Sequence, residues 1–213
     1  GNFMTNRKRK ERQEKPVSRK AVTPVYNQIL VQPVHRGIND IGTWKSALRA
    51  ADMGLRSKLY DLYEDILMDG TVTDAIGKRI EAITDCDINF TVNRKEEPRI
   101  TALIATVEFE NQLKEIMWSL FWGISVDEYS FVNGFDFNSI PRKHIRPKEK
   151  LILRRQYDTD GISYSDDGMI IQWGEDNDLG LLLKVAPYVI YKRGGFGDWA
   201  QFVELFGMPQ RIG

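Results

Sequence analysis

Cysteine is nearly absent: Cys86 stands alone, so no disulfide can form within the chain. Histidine is almost as scarce. His35 and His144 lie far apart, and neither has a metal-ligand or nucleophile partner at a recognisable spacing. No run approaches the roughly 18 to 20 apolar residues of a membrane-spanning helix. The first residues lack the apolar core of a secretion signal. There is no P-loop, which removes ATP hydrolysis of that type. Net charge is missing too: thirty basic residues balance thirty acidic ones, so the total selects no partner.

What is present is a chain of 213 residues, 42% apolar and 28% charged, which is long enough and apolar enough to bury a substantial core. Its charge is unevenly spread. Residues 1–20 carry Arg7, Lys8, Arg9, Lys10, Arg12, Lys15, Arg19 and Lys20 against Glu11 and Glu14. With almost no large apolar side chains, residues 1–25 read as a basic, disordered arm. That arm suits contact with nucleic acid or an acidic partner, and equally a solubilising tail. From Asp158 to Asp178 the chain carries seven acidic residues and no Lys or Arg. A basic arm and an acidic region in one neutral chain suit complementarity between copies, as well as two solvated surfaces.

Apolar periodicity gives the fold class. Trp44, Ala47, Leu48 and Ala51 recur at helical spacing, with Gly54 as a stop. Leu55, Leu59, Leu62, Tyr63, Ile66 and Leu67 form a wide stripe ended by Gly70; Thr71 then caps a third helix with Val72, Ala75, Ile76, Ile80 and Ile83 inward. Asp61, Glu64 and Asp65 fall together on polar surface, read as a solvated face rather than a paired-carboxylate site. "DINFTV" alternates as a half-buried strand, and one long helix is expected from Arg99 to Trp122. "ISVDEYSFV", "LILRR", "GISYS" and "MIIQW" read as short strands; "DTDG" and "SDDG", which separate the last three, are turns and not calcium loops. These patterns predict an α+β fold of several amphipathic helices packed on a small antiparallel β meander.

Gly195-Phe196-Gly197-Asp198-Trp199-Ala200 spells G-x-G-x-x-A, a minimal dinucleotide fingerprint. The preceding residues Leu179, Leu182, Leu183, Ala186, Val189 and Ile190 keep helical spacing, with Pro187 as a kink, so no strand leads into it. Asp198 would put a carboxylate where a pyrophosphate needs bare N–H groups. The glycines therefore read as a loose connection between two helices, the second capped by Asp198, with Trp199, Phe202, Val203 and Phe206 on one side. No cofactor is expected. His144 lies in "PRKHIRPK", where Arg142, Lys143 and Arg146 would lower its proton affinity. That basic loop suits contact with phosphate or a neighbouring subunit, or plain solvation.

"DWAQFVELFGMPQRIG" resembles the D-W-A-x-F-x-E-x-[FY]-G-x-P-x-R-x-G tract of Mu-like phage and prophage portal proteins, filled here by Asp198, Trp199, Ala200, Phe202, Glu204, Phe206, Gly207, Pro209, Arg211 and Gly213. "ALRAADMG", "LYEDIL", Arg79, Ala82 and "DINFTV" follow the family order upstream. Ile88 stands where the family commonly has an aromatic residue.

The resemblance implies a non-enzymatic subunit of a ring, commonly a dodecamer, at one vertex of the phage head, through which double-stranded DNA passes. Terminase, minor head and head–tail joining proteins would be its partners. Its place would be the virion, and the host cytoplasm during assembly, with no membrane. It further implies the N-terminal portion of a longer subunit: an arm over 1–25, a wing-like domain over 26–178, and the start of the stem over 179–213. Trp199, Phe202 and Phe206 would be packing anchors, Pro209 a helix stop and Arg211 a polar contact. Arg7, Lys8, Arg9, Lys10, Arg142, Lys143 and Arg146 are the candidates for touching DNA or a neighbouring subunit.

Overall fold

The structure, a computed structural model, describes residues 23–33 and 40–206. Helix α1 (Ile41–Asp52) begins where Asp40 accepts a hydrogen bond from the Thr43 amide at 2.6 Å, satisfying one of the unpaired N–H groups of a helix start. Helix α2 (Ser57–Ile66) is the centre of the fold. Leu59, Tyr60, Leu62, Tyr63, Asp65 and Ile66 are all buried, so this helix is enclosed on nearly every side rather than along one stripe. Each fully buried apolar side chain contributes about 1.5–3 kcal/mol.

Helix α3 (Gly70–Thr84) starts two residues earlier than the sequence suggested. Asp69 is its cap, accepting from the Thr71 and Val72 amides, and Gly70 opens α3 instead of closing α2. The strand expected at "DINFTV" shrinks to a two-residue pairing of β1 (Thr91–Val92) with β2 (Lys95–Glu96). Asn93 and Arg94 turn between them with φ of 52° and 64°, the hairpin geometry that matches strand twist. Ile88, Phe90 and Val92 stay exposed, so the alternation marks no buried face.

The single long helix expected up to Trp122 is two helices, α4 (Pro98–Ile104) and α5 (Val107–Trp122). Thr106 accepts from the Phe109 amide and caps α5, and Glu108 and Glu110 sit in its first turn, where the helix dipole favours carboxylates. Gly123 ends α5 with φ of 88°.

Two antiparallel sheets follow. The first has the order β4–β3–β8, from β3 (Ser125–Ser130), β4 (Asp136–Ser139) and β8 (Ile170–Trp173). The second, of order β5–β6–β7, uses β5 (Ile145–Arg146), β6 (Leu151–Leu153) and β7 (Gly161–Ser163). The α+β class holds. The small antiparallel strands fall into two sheets, because β8 returns to pair with β3, setting Ser125 opposite Trp173. Glu128 of β3 also accepts the amides of Val25 and Tyr26 at 2.7 and 2.9 Å, and Val25 is buried. This fixes the earliest described segment to the first sheet.

Helix α6 (Leu182–Phe206) closes the core. Leu182, Ala186, Val189 and Ile190 join the buried cluster of α1, α2 and α5. Its start is set by close backbone approach. Gly180 has φ of 78°, and a Cβ there would lie 2.5 Å from the Trp122 carbonyl carbon and closer still to Phe121 O. Only glycine fits such a place. The Leu181 amide then donates to Leu120 O at 3.1 Å, tying the end of α5 to the beginning of α6.

Candidate functional site: an anchored long helix

Three acidic residues of α2 and the cap of α3 organise the polar contacts around the core. Asp61 and Glu64 lie one helical turn apart and both accept from Lys143 Nζ, at 2.6 and 2.8 Å. Burial pulls the Lys143 ammonium toward losing its proton, but the two carboxylate bonds outweigh it and hold its pKa above the ordinary lysine value. Asp65 faces α6. It receives Arg193 twice, Nη1 on Oδ2 at 2.7 Å and Nη2 on the backbone carbonyl at 2.8 Å. Asp69 accepts from Lys192 Nζ at 2.8 Å while capping α3. The Lys192 bond, aided by the Val72 and Thr71 amides, keeps the Asp69 carboxyl below the usual carboxylate range. The acidic face expected to be solvated is thus a two-sided bracket: α2 grips the Arg142–His144 turn with one edge and α6 with the other.

Behind that turn lies a second polar layer. Arg142 pairs with Glu115 of α5, donates to Ile124 O at 2.9 Å and to Ser125 Oγ at 2.6 Å, and stacks 5.1 Å from the Trp122 ring centre. Trp122 in turn meets Tyr60 and Tyr63 edge-on, each at 5.6 Å. Burial raises the Glu115 carboxyl, opposed by Arg142. Asp127 is fully enclosed, raised by burial, and accepts from Gln112 Nε2 at 2.9 Å and Ser139 Oγ at 2.7 Å. Burial also pushes the Tyr129 phenol up to about 12.

His144 is buried beneath the turn, not solvated. Its Nδ1 lies 2.9 Å from Leu153 O, and since a carbonyl only accepts, Nδ1 carries the proton. Its proton affinity is lowered as the sequence suggested, but burial is the largest cause and Lys143 a minor one. Arg146 donates to Asp158 O at 2.8 Å. Arg142 and Lys143 keep only 18% and 14% of their side chains exposed, so both are committed mainly to contacts within the chain.

The glycine tract departs most from the sequence reading. No connection between two helices exists there: α6 runs unbroken through Gly194, Gly195 and Gly197, and Asp198 lies inside it rather than capping a second helix. Pro187 also lies inside it. Helix propagation adds one hydrogen bond per residue fixed, whereas a new helix must nucleate again, and this cooperativity carries α6 across residues of poor propensity. A dinucleotide cradle needs a strand leading into such a turn, and the chain is helical there. Among the described residues, no group of three or more His, Cys, Asp or Glu could hold a metal ion, and no helix is long and apolar enough to cross a membrane.

Of the tail residues, Asp198, Trp199, Phe202, Glu204 and Phe206 lie along the last turns of α6. Gly207, Pro209 and Arg211 lie outside the described residues, as do Arg7, Lys8, Arg9 and Lys10. Sequence reasoning missed Lys192, Arg193 and Asp69. Their signal was available: a Lys-Arg pair directly follows the last buried stripe of α6, and Asp65 and Asp69 stand four apart at the end of α2.

Comparison with known proteins bears out the resemblance carried by the tail. The family model described as the portal protein of Mu bacteriophage matches residues 60–213, which takes in most of α2 and everything after it. No curated protein matches the chain.

Proposed function

We propose, from the premise that this chain belongs to the portal protein family of Mu bacteriophage, that it is a structural subunit of the ring through which DNA enters and leaves the phage head. The family match over residues 60–213 carries this reading. The geometry supports it: the polar side chains are spent on bracing elements against each other, as a body that bears force between copies requires. In the ring, the α+β body serves as the wing and α6 leads toward the stem. Arg7, Lys8, Arg9 and Lys10 are the candidates to meet DNA or a neighbouring subunit, while Arg142 and Lys143 act chiefly inside the subunit. Terminase, minor head and head–tail joining proteins are the partners, in the host cytoplasm during assembly and then in the virion.

Electron microscopy of the purified full-length protein tests this. Closed rings with an axial hole, about twelve subunits round, are expected from the family resemblance. Monomers or open aggregates without rings at every concentration tried would contradict it.

A further inference from the structure

We propose that Gly194, Gly195 and Gly197 make α6 a hinged helix, in which the part up to Arg193 moves with the body and the part from Asp198 onward swings about the glycines. The inference does not depend on the portal reading.

A glycine inside a helix weakens it relative to alanine, because the backbone has more freedom to lose. Three within four residues need a reason. Backbone conformation is not the reason, since none of the three has a positive φ. Crowding by the described residues outside the helix's own backbone is not the reason either, because a Cβ added at any of them meets none of their atoms within 4 Å. What remains is a local loss of helix stiffness.

Its position is informative. Among the described side chains, the last buried one of α6 is Ile190, and the last anchors are the Lys192–Asp69 and Arg193–Asp65 pairs. The glycines begin at the next residue. Gly194 to Gly197 and Ala200 are all exposed. The helix has one other weak point, Pro187, but it lies between buried Ala186 and buried Val189 and is held by the core. Bending is thereby directed to a single place, just outside the clamp.

Distance distributions between paired spin labels test this on the full chain, with Cys86→Ser to remove the native thiol. One pair, on cysteines replacing Lys58 of α2 and Ala200, spans the glycines; the other, replacing Lys58 and Lys184, does not. All four background positions are exposed. With native glycines the 58–200 distribution is expected to be broad and the 58–184 distribution narrow. In the triple variant Gly194→Ala, Gly195→Ala, Gly197→Ala, the 58–200 width is expected to collapse to that of the 58–184 pair. A narrow 58–200 distribution with native glycines would overturn the proposal. So would a broad one that the alanines leave unchanged, which would put the motion elsewhere. An oligomeric state altered by the alanines at constant width would also overturn it, assigning the glycines to close packing against a second copy.

Discussion

The two parts of α6 are one helix by hydrogen bonding and two by environment. From Leu182 to Arg193 a stripe of Leu182, Ala186, Val189 and Ile190 is buried, the start is fixed by Gly180 against α5, and the end is fixed by Asp65 and Asp69. From Gly194 the same helix has three glycines and exposed side chains up to Gly197. Helix type therefore says little about stability along this element. Tertiary burial holds the first part, whereas Gly194 to Gly197, where the second part begins, stand exposed and continue the helix by cooperativity.

The contrast can be broken most severely at its origin. Gly180→Ala should cost about 4 kcal/mol, combining left-handed strain with backbone overlap, whereas Gly195→Ala should be neutral or stabilising by up to about 1 kcal/mol; chemical denaturation of both variants measures the difference. Leu182→Ala comes next, at about 3 kcal/mol for a side chain with no exposure. Phe196→Ala, at an exposed position beyond the clamp, should stay within about 0.5 kcal/mol.

Acid should weaken the body that anchors the first part. His144 is held neutral in the fold, with its pKa below the unfolded value of about 6.5. Its contribution is full above that pH and is lost as pH falls through the folded pKa, at no more than about 1.4 kcal/mol per pH unit. Asp69 behaves in the usual carboxylate sense: its contribution is present above about pH 4 and is lost as pH falls through its depressed folded pKa. Denaturation midpoints between pH 7.5 and 5.5 should slope downward with acid in the native chain and less steeply in His144→Gln. Arg193→Ala should cost only about 1 kcal/mol, because the guanidinium is partly exposed and screened. Added salt should reproduce part of that loss.

Much of this arrangement was legible in the residues. The stripes at Trp44–Ala51, Leu55–Leu67 and Val72–Ile83 correspond to α1, α2 and α3, although Leu55 precedes α2 and both it and Ile83 are exposed, and the tail tract announced the family that the match over 60–213 establishes. Two errors were local and avoidable. Thr106, followed by Glu108 and Glu110, is a helix start inside what looked like one long stripe. Asn93-Arg94 is a hairpin turn within a stretch whose alternation suggested burial.

Others were not avoidable. The pairing of β3 with β8 joins residues more than forty apart, with the whole second sheet in between. Asp61, Glu64 and Asp65 look like any solvated face until Lys143 and Arg193 arrive from distant parts of the chain. The glycines read as a break because propensity is a local quantity, and the helix on either side of them is not.

Hydrogen exchange along α6 tests the central contrast most directly. The account predicts that amides from Val185 to Arg193, apart from Pro187 which has none, exchange only through large-scale unfolding, with protection dropping by orders of magnitude within the Gly194–Gly197 segment. Uniform protection from Val185 to Phe206 would contradict it, because the second part would then be held as firmly as the first.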